Sequence, residues 1–180
     1  MSNKVTIYVV RHGKTMMNKM ERVQGWCDSP LVQEGIDAAR FLGYGLSDIN
    51  FRTAYCSDLR RAKQTTQIIL GAKDQEDIPL IELPGLREIC FGSFEAGRID
   101  TMWRSASLYL HYKSAGEMSK DVLSKKISYR DVLAAIKEIE TMDMAENFAD
   151  VEARTQETLR EIAINESQNG DCNILIVAHA

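Results

Sequence analysis

Proline, glycine and long apolar runs are all scarce in this sequence. Its 180 residues include 3 prolines and 11 glycines, a composition that excludes collagenous and low-complexity chains. The apolar run from Val5 to Val10 is too short for the core of a signal peptide and far too short to span a bilayer. With 44% hydrophobic and 27% charged residues, the chain is predicted to fold as a single globular domain over residues 1–180.

Excess positive charge and paired cysteines are also lacking. Acidic residues outnumber basic ones by 26 to 22, for a formal net charge of −4, so we expect no general affinity for nucleic acid or for a membrane. No Cys-x-x-Cys pair occurs among Cys27, Cys56, Cys90 and Cys172, and the chain is larger than the usual disulfide scaffold. We therefore predict reduced thiols and a cytoplasmic protein in which any bound anion needs a local site.

Short β-branched apolar runs alternate with amphipathic stretches along the chain. Val5 to Val10 and Ile174 to Val177 have the composition of strands that are buried on both faces of a parallel sheet. Weaker strand candidates lie at 54–56 and 78–83. Helices are predicted at 33–46, 59–70, around 132–139 and at 148–162, with Ser57 and Asp58 as N-cap candidates for the second. This alternation predicts an α/β fold with three layers, α/β/α, around a largely parallel sheet, and a helical excursion at about residues 97–145.

Two of the three histidines, His12 and His179, directly follow the two strongest strand candidates. Ligands in open α/β sheets bind beyond the carboxyl ends of the strands, so both imidazoles would enter one site if these strands are neighbours. Taken singly, either histidine is more often a structural residue of a loop. Their shared placement, together with nearby arginines, favours a site.

Cationic and hydrogen-bond-donating side chains follow the first of these strands. Arg11, Lys14, Thr15 and Asn18 supply donors, and Gly13 would let backbone N–H groups approach a ligand closely. A loop of this composition suits an oxyanion.

A second cationic candidate is the pair Arg60-Arg61 in the first turn of the helix predicted at 59–70. The positive end of the helix dipole favours phosphate there. Taken alone, an arginine pair is more often a solvated one.

Glu88 follows the strand predicted at 78–83 and is the remaining candidate. A lone glutamate is usually solvated. Packed among apolar neighbours such as Ile89 and Phe91, its carboxyl group would instead be a proton donor.

Five short motifs lie in one order along the chain. They are Val-Val-Arg-His-Gly-Lys-Thr-Met-Met-Asn at 9–18, Arg-Val-Gln-Gly-Trp-Cys-Asp-Ser-Pro-Leu at 22–31, Cys-Ser-Asp-Leu-Arg-Arg-Ala-Lys-Gln-Thr at 56–65, Leu-Arg-Glu at 86–88 with Phe-Gly at 91–92, and Ile-Val-Ala-His at 176–179. Together they resemble the histidine phosphatase superfamily, the phosphoglycerate mutase-like group. The resemblance covers nearly the whole chain and implies a phosphoglycerate mutase-like fold.

The resemblance implies how a phosphoryl group would be held. His12 would be the nucleophile that becomes a phosphohistidine, and His179 would donate to the phosphoryl oxygens. Arg11 and Arg61 would hold the phosphate. Arg60 would be exposed.

The resemblance also implies the residues that act on the leaving group and line the pocket. Glu88 would be the general acid that protonates the leaving oxygen and later activates water. Asn18, Gln24 and Gly25 would line the phosphate pocket. Two arginines and two histidines can stabilise phosphoryl transfer without a metal, and the sequence offers no Asp/His cluster for one, so we expect no cofactor.

Two departures from the family pattern bear on the site. Lys14 stands where the family most often has Glu or Gln, which adds a cation and favours a more anionic substrate. The run Glu95-Ala96-Gly97 replaces an adjacent Glu-Gly and is expected to reshape the loop after the acid.

Three functions remain open from the sequence. The first is a phosphomonoesterase acting on a small phosphorylated metabolite, and the second is a cofactor-dependent phosphoglycerate mutase. Trp103-Arg104-Ser105 comes early after the acid, and residues 98–180 contain no proline, which favours hydrolysis over the mutase pattern. The third is a catalytically silent phosphate-binding regulatory module.

The end of the sequence carries one more expectation. Ala180 follows His179 directly, whereas members of the family continue beyond the second histidine. We therefore expect the native product to be longer.

Overall fold

The computed structural model describes residues 3–180. Its strands are β1 Val5–Arg11, β2 Phe51–Cys56, β3 Leu80–Glu82 and β4 Cys172–Ala178. Its α-helices are α1 Met16–Lys19, α2 Gln33–Gly45, α3 Arg60–Ala72, α4 Ile99–Tyr109, α5 Ala115–Leu123, α6 Tyr129–Ile139 and α7 Phe148–Ser167. Two short 3-10 helices lie at Pro84–Leu86 and Gly92–Phe94. Every strand and helix predicted from the apolar pattern is present, with ends shifted by a few residues.

The four strands form one parallel sheet in the order β1-β4-β2-β3. Strands β1 and β4 are neighbours, and Arg11 lies opposite Ala178. His12 and His179 therefore leave the sheet side by side at its carboxyl edge. The prediction that the two histidine-bearing strands are adjacent is confirmed.

Successive residues of the central strands pack into two separate apolar cores. Leu175 of β4 packs in a cluster with Ala39 of α2 and Ile69 of α3, whereas its neighbour Ile174 packs in another cluster with Ile162 of α7. Side chains alternate between the two faces of a strand, so helices cover both faces of the sheet. This confirms the predicted three-layer α/β fold and explains why the sequence of β4 is continuously apolar. The prediction of burial on both faces is wrong for β1, an edge strand in which Ile7 and Val9 are 39% and 71% exposed.

The chain divides into two compact units. The first comprises the residues up to Met16, Asp28–Glu88 and Ala153–Ala180, and it contains the sheet. The second comprises Met17–Cys27 and Ile89–Glu152. Helices α4 to α6 give the second unit its own core, which includes Met102, Met118, Val132 and Ile136.

The start of α3 differs from the prediction. The helix begins at Arg60 with Leu59 in the N-cap position and no side-chain cap, so neither Ser57 nor Asp58 caps it. Asp58 instead accepts two hydrogen bonds from the guanidinium of Arg87, at 2.7 and 2.5 Å. In the bidentate pair both partners are charged and two bonds form, whereas a capping bond runs to the carboxylate from an uncharged N–H, which explains why the carboxylate turns away from the helix.

The turn at residues 95–97 is held by its own glutamate. The carboxylate of Glu95 accepts hydrogen bonds from the backbone N–H groups of residues 25–27 and of Phe91, at 2.9 to 3.0 Å. Ala96 has a φ of 60°, a left-handed conformation that costs a residue with a Cβ about 1–2 kcal/mol. The unusual sequence therefore keeps Glu95 on the 25–27 loop at the expense of backbone strain in the next residue.

Within residues 3–180, no helix is both long and apolar enough to cross a membrane. The four cysteines, all in that range, are thiols rather than disulfides. Burial raises the pKa of the Cys56 thiol to about 11, so this thiol is protonated at neutral pH.

Candidate active site

His12 is the first residue after β1 and is only 6% exposed. Its Nδ1 lies 2.8 Å from the carbonyl oxygen of Gly13, and its Nε2 lies 3.3 Å from Nε of Arg61. A carbonyl oxygen can only accept and a guanidinium N–H can only donate. The proton of the neutral ring is therefore on Nδ1, and Nε2 presents a lone pair.

Arg61 is fully buried, with 0% of its surface exposed, and contacts two imidazoles and a carboxylate. Besides His12, it contacts Oδ1 of Asp28 through Nη1 and Nδ1 of His179 through Nη2, both at 3.2 Å. Because the guanidinium donates, Nδ1 of His179 accepts and the proton of that ring is on Nε2. A single arginine thus sets the orientation and tautomer of the second histidine and contacts the first.

The Nε2 atom of His179 is buried and has no hydrogen-bond partner within the described part of the chain. A buried donor without an acceptor costs about 1–3 kcal/mol. The rings of His12 and His179 are 5.0 Å apart between centroids, so this N–H belongs to a ring that lies beside the first histidine. An acceptor oxygen bound here would satisfy the N–H.

Both imidazoles are neutral at ordinary pH. Burial, followed by the charges of Arg61 and Arg11, lowers the pKa of His12 to about 4. Burial and the charge of Arg61 also lower the pKa of His179, to about 2. The positive charge of the site therefore resides on the arginines.

The lowered pKa of His12 makes the stability of the fold depend on pH. An unfolded histidine binds a proton near pH 6.5, but folded His12 does so only near pH 4, so the unfolded state binds more protons between these values. The free energy of unfolding then falls as the pH drops below 6.5. For His12 alone we expect a loss of about 2 kcal/mol between pH 7 and pH 4.5. Urea unfolding of the parent and of His12→Asn at both pH values measures this, and an equal loss in the two proteins would contradict it.

The backbone beside His12 is fixed by two helices. The N–H of Gly13 donates to Oγ1 of Thr65 at 3.0 Å, and this hydroxyl donates to the carbonyl of Arg61 at 2.7 Å. A Cβ on Gly13 would lie 2.6 Å from the carbonyl oxygen of Gly35 in α2. The N–H of Gly13 is thus used by Thr65, and the close packing of α2 accounts for the glycine, while the approach of backbone N–H groups to a ligand stays a prediction.

The remaining cations of the unit differ in their surroundings. Arg60 is exposed, as the resemblance implied, and so is Arg11 at the end of β1. Lys14 forms an ion pair with Glu34 at 2.6 Å. An exposed pair of this kind contributes at most about 1 kcal/mol, so Lys14 can reach a substrate only after a weak pair opens, and its extra charge is offset in the structure.

Glu88 is half-buried on the loop that follows the Pro84–Leu86 helix. Its carbonyl oxygen accepts a hydrogen bond from Nη2 of Arg154 at 2.9 Å. The charge of Arg154 also contributes to the low pKa of His179. The loop that carries Glu88 is therefore linked electrostatically to the second histidine.

The three residues expected to line the phosphate pocket belong to the second compact unit. Asn18 lies in α1, and Gln24 and Gly25 lie in the loop held by Glu95. The N–H of Gly25 is bonded to Glu95 at 3.0 Å, and a Cβ there would lie 2.1 Å from the carbonyl oxygen of Ile89. Packing thus explains the glycine, and the contact of these residues with phosphate stays a prediction.

Sequence reasoning assigned no role to Asp28, Thr65 or Arg154. The first two lie inside motifs that carry the resemblance, at 22–31 and 56–65. Arg154 lies between Val151 and Thr155, two residues of the α7 face that is predicted to be apolar. A charged residue at this place was the one feature of the sequence that could have indicated a role for Arg154. Within residues 3–180, no three His, Cys, Asp or Glu residues are grouped so that they could hold a metal ion.

Comparison with known proteins shows which proteins the chain resembles. Among curated proteins, the chain is 38% identical over 89 residues to the 2,3-bisphosphoglycerate-dependent phosphoglycerate mutase 2 of Gloeobacter violaceus. It is 30% identical over 128 residues to the broad-specificity phosphatase YOR283W of Saccharomyces cerevisiae. These matches cover 49% and 69% of this chain but 41% and 56% of the relatives, so the chain spans about half the length of these curated relatives.

Structural comparison and a family model extend the similarity to the whole chain. The crystal structure of a phosphoglycerate mutase from Bacillus anthracis has 36% sequence identity and a TM-score of 0.91, with 99% of this chain and 76% of that chain covered. The model of the histidine phosphatase superfamily (branch 1) matches residues 7–180, which include most of β1, all of β4 and both histidines that follow them. The chain therefore belongs to the histidine phosphatase superfamily.

Proposed function

We propose that this protein is a phosphomonoesterase that hydrolyses a small phosphorylated metabolite through a phosphohistidine on His12. One observation carries the proposal: Nε2 of His12, with its lone pair, and Nδ1 of His179 contact one buried guanidinium, and the buried Nε2–H of His179 has no partner among residues 3–180. Phosphoryl transfer needs an in-line nucleophile and donors for the phosphoryl oxygens. The proposal assigns these parts to His12, His179, Arg61 and Arg11.

Substrate binding has to free the nucleophile first. In the structure, Nε–H of Arg61 points to the lone pair on Nε2 of His12. A phosphate dianion is a stronger acceptor than a neutral imidazole. When substrate binds, the Nε–H of Arg61 therefore donates to a phosphoryl oxygen instead of to His12. Nε2 is then available for attack.

The first chemical step forms the phosphohistidine. Nε2 of His12 attacks phosphorus, the bond from phosphorus to the ester oxygen breaks, and the leaving oxygen takes a proton from the carboxyl group of Glu88. The imidazolium that results keeps its Nδ1–H on the carbonyl of Gly13. The N–H of His179 and the guanidiniums of Arg11 and Arg61 stabilise the oxygens in the transition state.

The second step releases phosphate. Water attacks phosphorus and gives a proton to the Glu88 carboxylate, and the nitrogen-phosphorus bond breaks, which returns neutral His12. Inorganic phosphate leaves and the carboxyl group is again protonated. The residues supply both the charge and the proton in this cycle, so we propose that it needs no metal cofactor.

A phosphoglycerate mutase is the second candidate. It is supported by the mutases of Gloeobacter violaceus and Bacillus anthracis among the relatives. The same phosphohistidine would return its phosphoryl group to a second hydroxyl of the substrate instead of to water. The broad-specificity phosphatase among the relatives and the early Trp103-Arg104-Ser105 run favour hydrolysis. We also propose a cytoplasmic location, which the thiol state of the cysteines supports.

The functions are separated by assaying the purified chain with p-nitrophenyl phosphate and with 3-phosphoglycerate, with and without 2,3-bisphosphoglycerate. We expect inorganic phosphate from p-nitrophenyl phosphate and from at least one small phosphate ester. Production of 2-phosphoglycerate that depends on the bisphosphate would identify the mutase instead. Phosphate binding without turnover of any ester would favour the silent regulatory module.

A further inference from the structure

Arg154 binds three carbonyl oxygens of the loop that carries Glu88. Its Nη1 donates to the carbonyls of Gly85 at 3.1 Å and Arg87 at 2.7 Å, and its Nη2 donates to the carbonyl of Glu88 at 2.9 Å. Bonds from a charged donor are about twice as strong as neutral ones. One guanidinium therefore fixes the backbone of the loop at Gly85, Arg87 and Glu88.

Other contacts of α7 hold the beginning of this loop. Oγ1 of Thr155 donates to the carbonyl of Gly85 at 3.3 Å. A Cβ on Gly85 would lie 1.9 Å from Oγ1 of Thr158, so the glycine allows the loop to lie directly on the helix. The segment 85–88 is thus packed against a single face of α7.

The opposite side of the loop is tied to the helix that carries Arg61. The guanidinium of Arg87 makes a bidentate pair with Asp58, at 2.7 and 2.5 Å, and Asp58 lies just before α3. The backbone of Glu88 is therefore held by Arg154 from α7, while the neighbouring side chain is anchored beside α3. A loop with attachments on both sides keeps its geometry when a ligand binds.

We propose that Arg154 is a positioning residue for Glu88, which holds the carboxyl group where it can protonate the leaving oxygen. This inference rests on the proposed function, in which Glu88 is the general acid. Arg154 acts through the backbone carbonyls of the loop and not by touching the transferred phosphoryl group. Its contribution is therefore specific to substrates whose leaving group needs a proton.

The test compares two substrates in Arg154→Met. An alkyl phosphate such as β-glycerol phosphate must release an alkoxide, which needs the proton, whereas p-nitrophenolate leaves without one. The measured quantity is kcat/KM, which reports the steps up to release of the leaving group and not the later hydrolysis of the phosphohistidine, in which Glu88 also acts. We expect kcat/KM for the alkyl phosphate to fall by about 10- to 100-fold, a part of the roughly 10²- to 10⁴-fold that a general acid contributes. We expect kcat/KM for p-nitrophenyl phosphate to fall by less than about threefold, because its leaving group needs no proton and the nucleophile is untouched.

Matched variants make the result specific. Glu88→Gln should show the same substrate dependence of kcat/KM, and the double variant should lose no more kcat/KM than Glu88→Gln alone, because both changes remove one function. Arg160→Met, an exposed arginine on the same helix, should leave both rates unchanged. Arg154→Lys keeps a donor without the planar fork, and we expect an intermediate ratio of the two rates. If Arg154→Met does not fold, this ratio in Arg154→Lys decides.

An equal loss on both substrates in the Arg154 variants would show a merely structural role and overturn the proposal. Unchanged rates on both would also overturn it. Failure of the proposed function would give a different result. Turnover that persists in His12→Ala would refute a reaction through a phosphohistidine on His12. When His12→Ala is inactive, the substrate ratio reports on Arg154 alone.

Discussion

Replacing His12 with alanine is expected to reduce the turnover of phosphate monoesters by about 10⁴-fold or more, the size of loss that follows removal of a covalent nucleophile. Nε2 of this residue is held unprotonated by the bond from Nδ1 to Gly13. Its low pKa, about 4, keeps it unprotonated across the physiological range. Arg61, which contacts His179, is also held by Asp28, so the proposed phosphate ligand His179 keeps its support in the variant.

The nucleophile is detected directly as well as through the rate. Labelled substrate, mixed with the parent and denatured rapidly in alkali, should leave label on the protein, and His12→Ala should retain none. His111→Ala is the matched control, since His111 is exposed and lies in the second compact unit, and it should keep parental turnover and labelling. Turnover in His12→Ala equal to that of the parent would refute the assignment.

The second large effect is expected from Arg61→Met, which should lower kcat/KM by about 10³-fold. The guanidinium contacts both histidines and Asp28, so its loss removes a proposed phosphate ligand and the hydrogen bond that orients the ring of His179. The positive charge of Arg61 also lowers the pKa of both imidazoles. Removing it raises both pKa values, so the acidic limb of the kcat/KM profile should move to higher pH.

Arg60→Met is the control for this prediction, because the two arginines are adjacent and only Arg60 is exposed. We expect this variant to retain kcat/KM within about twofold, as for a surface change that touches no named feature. Arg61→Lys should recover little activity, since an ammonium cannot reach both histidines and a carboxylate as a planar fork does. A kcat/KM for Arg61→Met similar to that of Arg60→Met would remove Arg61 from the site.

Much of the fold follows from local sequence pattern. Strand β4 is a continuous apolar run because both of its faces are buried, whereas the edge strand β1 leaves Ile7 and Val9 exposed on one face. The helix that carries Arg61 is predicted at 59–70 and is observed at Arg60–Ala72. The N-cap prediction at Ser57 and Asp58 is wrong because Arg87, distant in sequence, binds the Asp58 carboxylate.

The residues of the candidate site also differ in whether the sequence alone identifies them. His12 and His179 could be identified because each directly follows a predicted strand, and two parallel neighbours necessarily bring such residues together. The partners of these histidines could not be identified so directly. Asp28 lies 33 residues before Arg61, and Arg154 lies 66 residues after Glu88, so no local spacing joins them.

The sequence by itself determined the residue types of the site, the strands that present the histidines, and membership of a family that acts on phosphate. Only the tertiary structure decided which nitrogen of each imidazole carries the proton, that Lys14 is paired with Glu34, and that one arginine of α7 holds the Glu88 loop. The reason is physical. Strand and helix formation depends on neighbours along the chain, whereas protonation and positioning depend on charges and donors that only folding brings within a few ångströms.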